Sequence, residues 1–266
     1  MQAPDVVAAL RERGDLWESA EGLVGLRGAA LRLQRTLAGR IADHARSSSD
    51  EEWQVPAGIG FAALGRAGVL ENFPQWLTTA VPPNSAGAAL PSAACWQCYA
   101  ALAGARVLRP RRITLEATCW RHEAGRFAAL ERGWAFTMRE VVCLGEPAEV
   151  SDFLEAQLSA AELLARSLGL RPQIAWAEDP FFAPTARGRA LSQRLKGLKR
   201  ELLVPLGDGR QLAVFSANQH EAFFGDAYDL RLASSAPAWS GCAAFGLERW
   251  LLAFLVEHGV DERSWP

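Results

Sequence analysis

Three charged side chains extend the apolar faces of two strands that the sequence predicts within residues 113–145. Arg121 and Glu123 follow the apolar positions of the first strand, and Glu140 ends those of the second. Alternate residues of a strand share one face. The apolar members of the two faces are Ile113, Leu115, Ala117 and Cys119, and Trp134, Phe136 and Met138. Because a buried charge is costly unless it is paired or bound, this hairpin favours a polar ligand lying on a sheet. An amphipathic hairpin with a charged, solvated tip is the alternative.

A larger sheet has to position this hairpin. Gly207-Asp208-Gly209 is a turn signal between two further strands. Pro147 suits the first turn of a long helix, and Gly169 suits its C-terminal cap. Strands joined by tight turns, with helices before, between and after, predict an antiparallel sheet in an α+β domain. The predicted strands are 53–56, 173–177, 202–206, 211–216 and 238–245, and the predicted helices are 5–14, 29–46, 61–68, 70–77, 146–168 and 247–258.

Composition limits the function classes. The 266 residues are 50% hydrophobic, which fits one large domain spanning 1–266. A formal charge of −2 argues against a globally basic nucleic-acid binder. No apolar run is long enough to span a bilayer, and the N-terminus lacks the layout of a signal peptide, so no membrane partner is expected. Five irregularly spaced cysteines predict no disulfide framework and favour a reducing cytoplasm.

Three stretches together resemble the signature motifs of class II aminoacyl-tRNA synthetases. Arg121-His122-Glu123, with Arg132 in the loop and Phe136 on the return strand, resembles the second motif. The stretch 246–249, Gly-Leu-Glu-Arg, resembles the third motif, and 201–205 resembles the strand whose acidic residue helps to hold ATP-bound magnesium. The resemblance implies a class II synthetase-like catalytic domain.

A more specific resemblance is to the atypical zinc-containing seryl-tRNA synthetases of methanogens, and especially to their truncated bacterial relatives, the amino acid:[carrier protein] ligases. It runs from about Gly22 to the C-terminus and includes Asn218-x-His220. Zinc in that group is held by Cys, Glu and Cys, which fall here on Cys95, Glu140 and Cys242. Two thiolates and one carboxylate suit zinc and leave a fourth position open. The remaining cysteines are expected to be buried small hydrophobes, with Cys119 as the reserve ligand; they are Cys98, Cys119 and Cys143.

The resemblance also implies roles in amino acid activation. Arg121 would clamp the α-phosphate of ATP, and Glu123 would contact the adenine side or the amino acid. Phe136 and Arg249 would sandwich the adenine ring by stacking and cation–π attraction. The remaining expected roles are outer-phosphate neutralisation by Arg132 and Arg249, Mg²⁺ binding by Glu201, and a polar contact to a small amino acid (Gly, Ala or Ser) by Asn218.

The acceptor implied by the resemblance is the phosphopantetheine thiol of a carrier protein. Only an extension of residues 1–21 precedes the matched region, too short for a tRNA-binding domain, so no tRNA partner is expected. The basic segment 185–200 falls where the ligases have a helix that docks the carrier, although a solvated face is the alternative. The first class II motif builds a dimer interface, so a C2 homodimer is expected. Thr137 and Ala217 depart from the family pattern. An adenylate-forming ligase with another acceptor, and a non-catalytic paralogue that binds an amino acid or partner, remain alternatives.

Overall fold

A seven-stranded sheet forms the centre of the molecule in a computed structural model, which describes residues 1–84, 86–177 and 197–266. The strand order is β3-β7-β8-β13-β11-β10-β9. All neighbouring pairs are antiparallel except β3 and β7, which run parallel. The strands of this sheet are β3 (Glu51–Gln54), β7 (Arg111–Trp120), β8 (Ala135–Gly145), β9 (Gln173–Trp176), β10 (Lys199–Pro205), β11 (Gln211–Glu221) and β13 (Trp239–Gly246).

Three two-stranded sheets accompany the central one: β1 with β2, β4 with β5, and β6 with β12. Their strands are β1 (Leu16–Ala20), β2 (Leu23–Leu26), β4 (Thr78–Ala80), β5 (Ala88–Leu90), β6 (Arg106–Val107) and β12 (Arg231–Leu232). The helices are α1 (Ala3–Glu12), α2 (Gly28–Ser47), α3 (Phe61–Arg66), α4 (Val69–Asn72), α5 (Cys95–Ala101), α6 (Pro147–Ser167), α7 (Phe223–Ala227) and α8 (Leu247–His258).

Helix α6 has the ends that its sequence predicts. Pro147 lies in the first turn, and a reciprocal capping box joins Glu146 and Glu149. Gly169 follows the helix with a φ of +74°, a left-handed backbone conformation that favours glycine at a helix C-terminus. The long apolar helix therefore begins and ends within a residue of the predicted boundaries.

The central sheet separates two apolar cores. Helices α1, α2, α6 and α8 contribute to the first core, which includes Val141 and Phe245. On the opposite face a second core includes Tyr99 of α5, Phe224 of α7 and Val142 of β8. Successive residues of β8 thus alternate between the cores, as strand geometry requires. The strand is buried on both faces, which explains its nearly continuous apolar sequence.

The structure confirms the α+β class and corrects several local predictions. The early strand covers Glu51–Gln54 and not 53–56, and its parallel pairing with β7 departs from a purely antiparallel sheet. The two short predicted helices end earlier, and the second gives way to a 3-10 turn at Pro74–Trp76. The β1–β2 hairpin was missed, because Trp17, Glu18 and Ser19 do not alternate like a half-buried strand.

Candidate active site

A cavity of about 540 Å³ opens on the second-core face of the central sheet. Its floor is formed by β8, β11 and β13, and Trp76 and Trp96 contribute to its walls. All ten predicted site residues line this cavity; they are Cys95, Arg121, Glu123, Arg132, Phe136, Glu140, Glu201, Asn218, Cys242 and Arg249. The predicted site residues are therefore brought together in one place.

The register of the sheet explains how the metal-ligating residues meet. Cys242 of β13 pairs with Asn218 of β11 and with Val142 of β8, and Glu140 lies two residues before Val142. Paired residues of antiparallel strands share a face, and diagonal neighbours lie within reach of long side chains. Glu140 and Cys242 therefore point to the same side of the sheet. Cys95 begins α5, which packs over that side.

Cys95, Glu140 and Cys242 form a buried cluster whose ligand atoms lie within 4.8 Å of one another. One carboxylate oxygen of Glu140, Oε1, accepts a hydrogen bond at 2.9 Å from the backbone nitrogen of Ala94. The other, Oε2, is buried and has no hydrogen-bond partner among the described residues. Among the residues that the structure describes, Cys119, the expected reserve ligand, lies outside this cluster.

The electrostatics of the cluster favour a bound cation. Burial raises the pKa of Glu140 above its ordinary value. A hydrogen bond to Cys242, together with burial, raises the pKa of Cys95. Three groups that are anionic as metal ligands cannot ionise so close together without a compensating positive charge. Two sulfurs, one carboxylate oxygen and an unsatisfied buried Oε2 are a donor set that fits a zinc ion.

Two nitrogen atoms of β11 side chains approach the sulfur of Cys242. Asn218 Nδ2 lies 3.6 Å from the Cys242 Sγ and donates a second hydrogen bond at 3.1 Å to the hydroxyl of Ser216. His220 Nε2 lies 3.7 Å from the same sulfur. Ala217 directly precedes Asn218 on β11 and is buried in the first core, on the opposite face of the sheet. The departure at Ala217 from the family pattern thus lies away from the cavity.

Arg121 is held between two aromatic rings. Its guanidinium carbon lies 4.5 Å from the ring centroid of Trp76 and 5.3 Å from that of Phe136. Its Nε donates a hydrogen bond at 2.8 Å to the backbone oxygen of Ser92. The contact between Trp76 and Arg121 could not be predicted from the sequence, because no local pattern links an aromatic residue in a short turn to an arginine 45 residues away.

Arg249 is anchored at the base of the cavity. Its Nε donates to the backbone oxygen of Glu131 at 2.8 Å, and Nη1 donates to that of Ala213 at 3.0 Å. Burial lowers the pKa of Arg249 from its ordinary value. These contacts fix the plane of the guanidinium group, whose planar fork suits a pair of phosphate oxygens.

Two carboxylates of the site are paired with cations. Glu123 forms a salt bridge at 3.2 Å with Arg132, and its backbone φ is +44°, which is uncommon for a residue other than glycine. Glu201 forms a salt bridge at 3.1 Å with Lys199. Both pairs lie where ATP is expected from the sequence. A ligand that brings Mg²⁺ to Glu201 would have to displace the lysine.

The basic segment 185–200 lies mostly outside the described residues. Only its last four residues are described, and Lys199 and Arg200 belong to strand β10 rather than to a helix. Arg200 donates a hydrogen bond to Glu155 at 2.9 Å, and the carbon of its guanidinium lies 5.3 Å from the ring of Trp176. Both basic side chains at this end of the segment are therefore engaged within the chain.

A search of the described helices for one that could cross a bilayer finds none of sufficient length and apolarity. The five cysteines are all buried and carry free thiols.

Comparison with known proteins gives consistent results. No protein-family model matches the chain. Amino acid–[acyl-carrier-protein] ligase 1 of Bradyrhizobium diazoefficiens is 34% identical over 260 residues, covering 86% of this chain and 78% of that protein. The type-2 serine–tRNA ligase of Methanococcus aeolicus is 32% identical over 155 residues, covering 55% of this chain and 29% of that protein.

The fold comparison agrees with the sequence comparison. The crystal structure of the M. kandleri seryl-tRNA synthetase, in complex with A. aeolicus tRNASec, matches with a TM-score of 0.89 at 23% identity, over 98% of this chain and 58% of that one. This likeness confirms the class II synthetase-like fold predicted from the motifs. With the ligase relative matched over most of both lengths, the chain belongs to the amino acid–[acyl-carrier-protein] ligase family and is a ligase enzyme.

Proposed function

We propose that this enzyme uses ATP to activate a small amino acid as its aminoacyl-adenylate and transfers the aminoacyl group to the phosphopantetheine thiol of a carrier protein. The observation that carries the proposal is the lining of one cavity by both the Cys95–Glu140–Cys242 cluster and the two arginines Arg121 and Arg249. A protein that only binds an amino acid has no need for two arginines in the same cavity as the candidate metal ligands.

Cys95, Glu140 and Cys242 would hold a zinc ion, which when bound supplies a Lewis-acid position for the amino group of the substrate. Asn218 stands beside this cluster, where its amide would contact the amino acid. The large side chains of Trp96, His220 and Phe224 line the same cavity. This enclosure supports a small amino acid such as Gly, Ala or Ser.

The phosphate-handling side chains would act by position and charge. Arg121 is held through its Nε by Ser92, so the outer nitrogens of its fork can meet the α-phosphate. Arg249 is fixed through two backbone carbonyls and would stabilise the charge that develops as pyrophosphate leaves. Arg132 would join it at the outer phosphates, and Glu201 would hold Mg²⁺. The adenine would stack on the ring of Phe136, which the guanidinium group of Arg121 contacts in this structure.

The carboxylate of the amino acid would attack the α-phosphorus, and the bond from that phosphorus to the β-phosphate oxygen would break. The carrier thiol would then attack the aminoacyl carbonyl and release AMP. A carrier protein as acceptor is supported by the name of the Bradyrhizobium relative. The excess of basic residues in 185–200 has the charge sign that an acidic carrier requires.

Amino-acid-dependent ATP–pyrophosphate exchange on the zinc-replete protein, across all standard amino acids, tests the activation step. Exchange with one or a few small amino acids is the expected result. Silence across the panel from folded, zinc-loaded protein would overturn the proposal. A second assay follows transfer of the labelled amino acid to a phosphopantetheinylated carrier protein. Charge reversal at Arg194 and Lys196 is expected to slow this transfer and to leave the exchange rate unchanged.

A further inference from the structure

His220 lines the cavity, but the proposed function gives no role to its ring nitrogens. Its ring lies edge-on to Tyr99, with centroids 5.9 Å apart, and edge-on to Phe224 at 4.8 Å. Its Nδ1 lies 3.1 Å from the hydroxyl of Tyr99 and 3.3 Å from the hydroxyl of Ser240. On the other side of the ring, Nε2 lies 3.7 Å from the sulfur of Cys242. One imidazole thus connects two hydroxyl groups to a cysteine of the metal cluster.

The partners on the two sides of the ring select one tautomer. A hydroxyl group can donate its proton, so two hydroxyl groups converging on Nδ1 favour an unprotonated, accepting nitrogen there. Burial raises the pKa of Tyr99 well above its ordinary value, so its hydroxyl keeps the proton that it donates. A metal-bound thiolate, in contrast, only accepts. The Nε2 that faces Cys242 must therefore carry the ring proton for this contact to be favourable.

We propose that Tyr99 and Ser240 hold His220 with its proton on Nε2, so that His220 donates an N–H···S hydrogen bond to the Cys242 thiolate and orients that thiolate for the metal. His220 is in this view a positioning residue that acts through Cys242. The inference rests on the metal site of the proposed function. Groups that orient a metal ligand in this way typically contribute 10- to 100-fold to metal affinity.

The first test measures the zinc dissociation constant by competition with a chromophoric chelator. His220→Ala is expected to weaken zinc binding about 10- to 100-fold. Tyr99→Phe removes only the hydroxyl group and is expected to weaken binding in the same direction. Tyr228→Phe is the matched control, because Tyr228 is equally buried in the same aromatic cluster but donates to the backbone oxygen of Ala63. Unchanged zinc affinity in a folded His220→Ala variant would overturn the inference.

The second test reads the tautomer directly. The chain has four histidines, so the imidazole signals of the zinc-loaded protein can be assigned by single substitution in a long-range ¹H–¹⁵N spectrum. The expected pattern for His220 is a protonated Nε2 and an unprotonated Nδ1. A protonated Nδ1 would overturn the inference even if the variants bind zinc weakly. Failure of the wild-type protein to bind zinc would instead count against the metal site in the proposed function.

Discussion

The carboxylate of Glu248, in the first turn of α8, accepts a hydrogen bond at 2.9 Å from the backbone nitrogen of Thr137 on β8. Its second oxygen faces the side-chain amide of Gln34 on α2, at 3.3 Å. One partly buried carboxylate therefore joins three elements, and it belongs to the residue directly before Arg249. The hydrogen bond uses the backbone nitrogen of Thr137 and not its side chain. The departure of this side chain from the family pattern therefore leaves the hydrogen bond intact.

Replacement of Glu248 by alanine should destabilise the fold and lower activity together. The change leaves the partly buried Thr137 amide without its carboxylate partner, and loss of such a partner typically costs about 1–3 kcal/mol. It also loosens the helix turn that holds Arg249. Urea denaturation measures the loss of stability, and pyrophosphate exchange measures activity. Full stability would show that water replaces the carboxylate at no cost.

Replacement of Glu248 by glutamine should change how stability depends on pH. Burial raises the pKa of Glu248 in the folded chain above its ordinary value. The folded state then binds a proton at a higher pH than the unfolded state does, so this group lowers the free energy of unfolding as the pH rises through that window. Glutamine does not titrate. The stability of Glu248→Gln relative to wild type should therefore increase as the pH rises above the ordinary carboxyl pKa of 4.5, and a constant difference would contradict this.

Zinc binding should depend on Cys242 and not on Cys119. Cys242→Ala removes a ligand from the cluster, whereas Cys119→Ala removes an equally buried thiol outside it. We expect metal analysis to find no stoichiometric zinc in the first variant and one zinc per chain in the second. Adenylate formation should be lost with the metal. Stoichiometric zinc in Cys242→Ala would refute the assignment of this ligand.

Arg121→Lys should slow pyrophosphate exchange by roughly 100-fold, because a lysine cannot reproduce the planar fork at the α-phosphate. Arg66 provides a matched control: its Nε donates to the backbone oxygen of Ala227, and its guanidinium lies over the ring of Tyr228. Arg66 has no part in the cavity lining. Arg66→Lys should keep the wild-type rate, and a similar loss in both variants would point to a general effect on folding.

Leu10→Ala in α1 should lower the free energy of unfolding by about 2–5 kcal/mol, the usual range for a buried leucine. Leu10 is buried in the first core, and the backbone nitrogen of Ala3 donates to the oxygen of Leu206 at 3.1 Å. Leu163 on α6 is 68% exposed, so Leu163→Ala is the control and should change stability by less than about 0.5 kcal/mol. Equal effects would mean that α1 is not part of the core.

The sequence was informative where local patterns are strong. The α6 and α8 helices and the turn between β10 and β11 follow from periodicity, capping and turn chemistry. The ten candidate site residues came from the order of the motifs, and the fold brings them into one cavity. The pattern could not reveal that Trp76 covers Arg121, or that Tyr99 reaches His220, since such contacts depend on how distant segments pack.

The spacing of the metal cluster along the chain has a consequence for biogenesis. Cys95, Glu140 and Cys242 span more than half of the 266 residues, and Cys242 lies on the strand at the middle of the sheet. Contacts between segments that are distant in sequence form late in folding, because the entropy cost of closing the loop between them comes before any stabilisation by the contact. A nascent chain that has not yet emerged past β13 lacks the third ligand. Binding of an ion by all three residues would therefore require that β13 has emerged and joined the sheet.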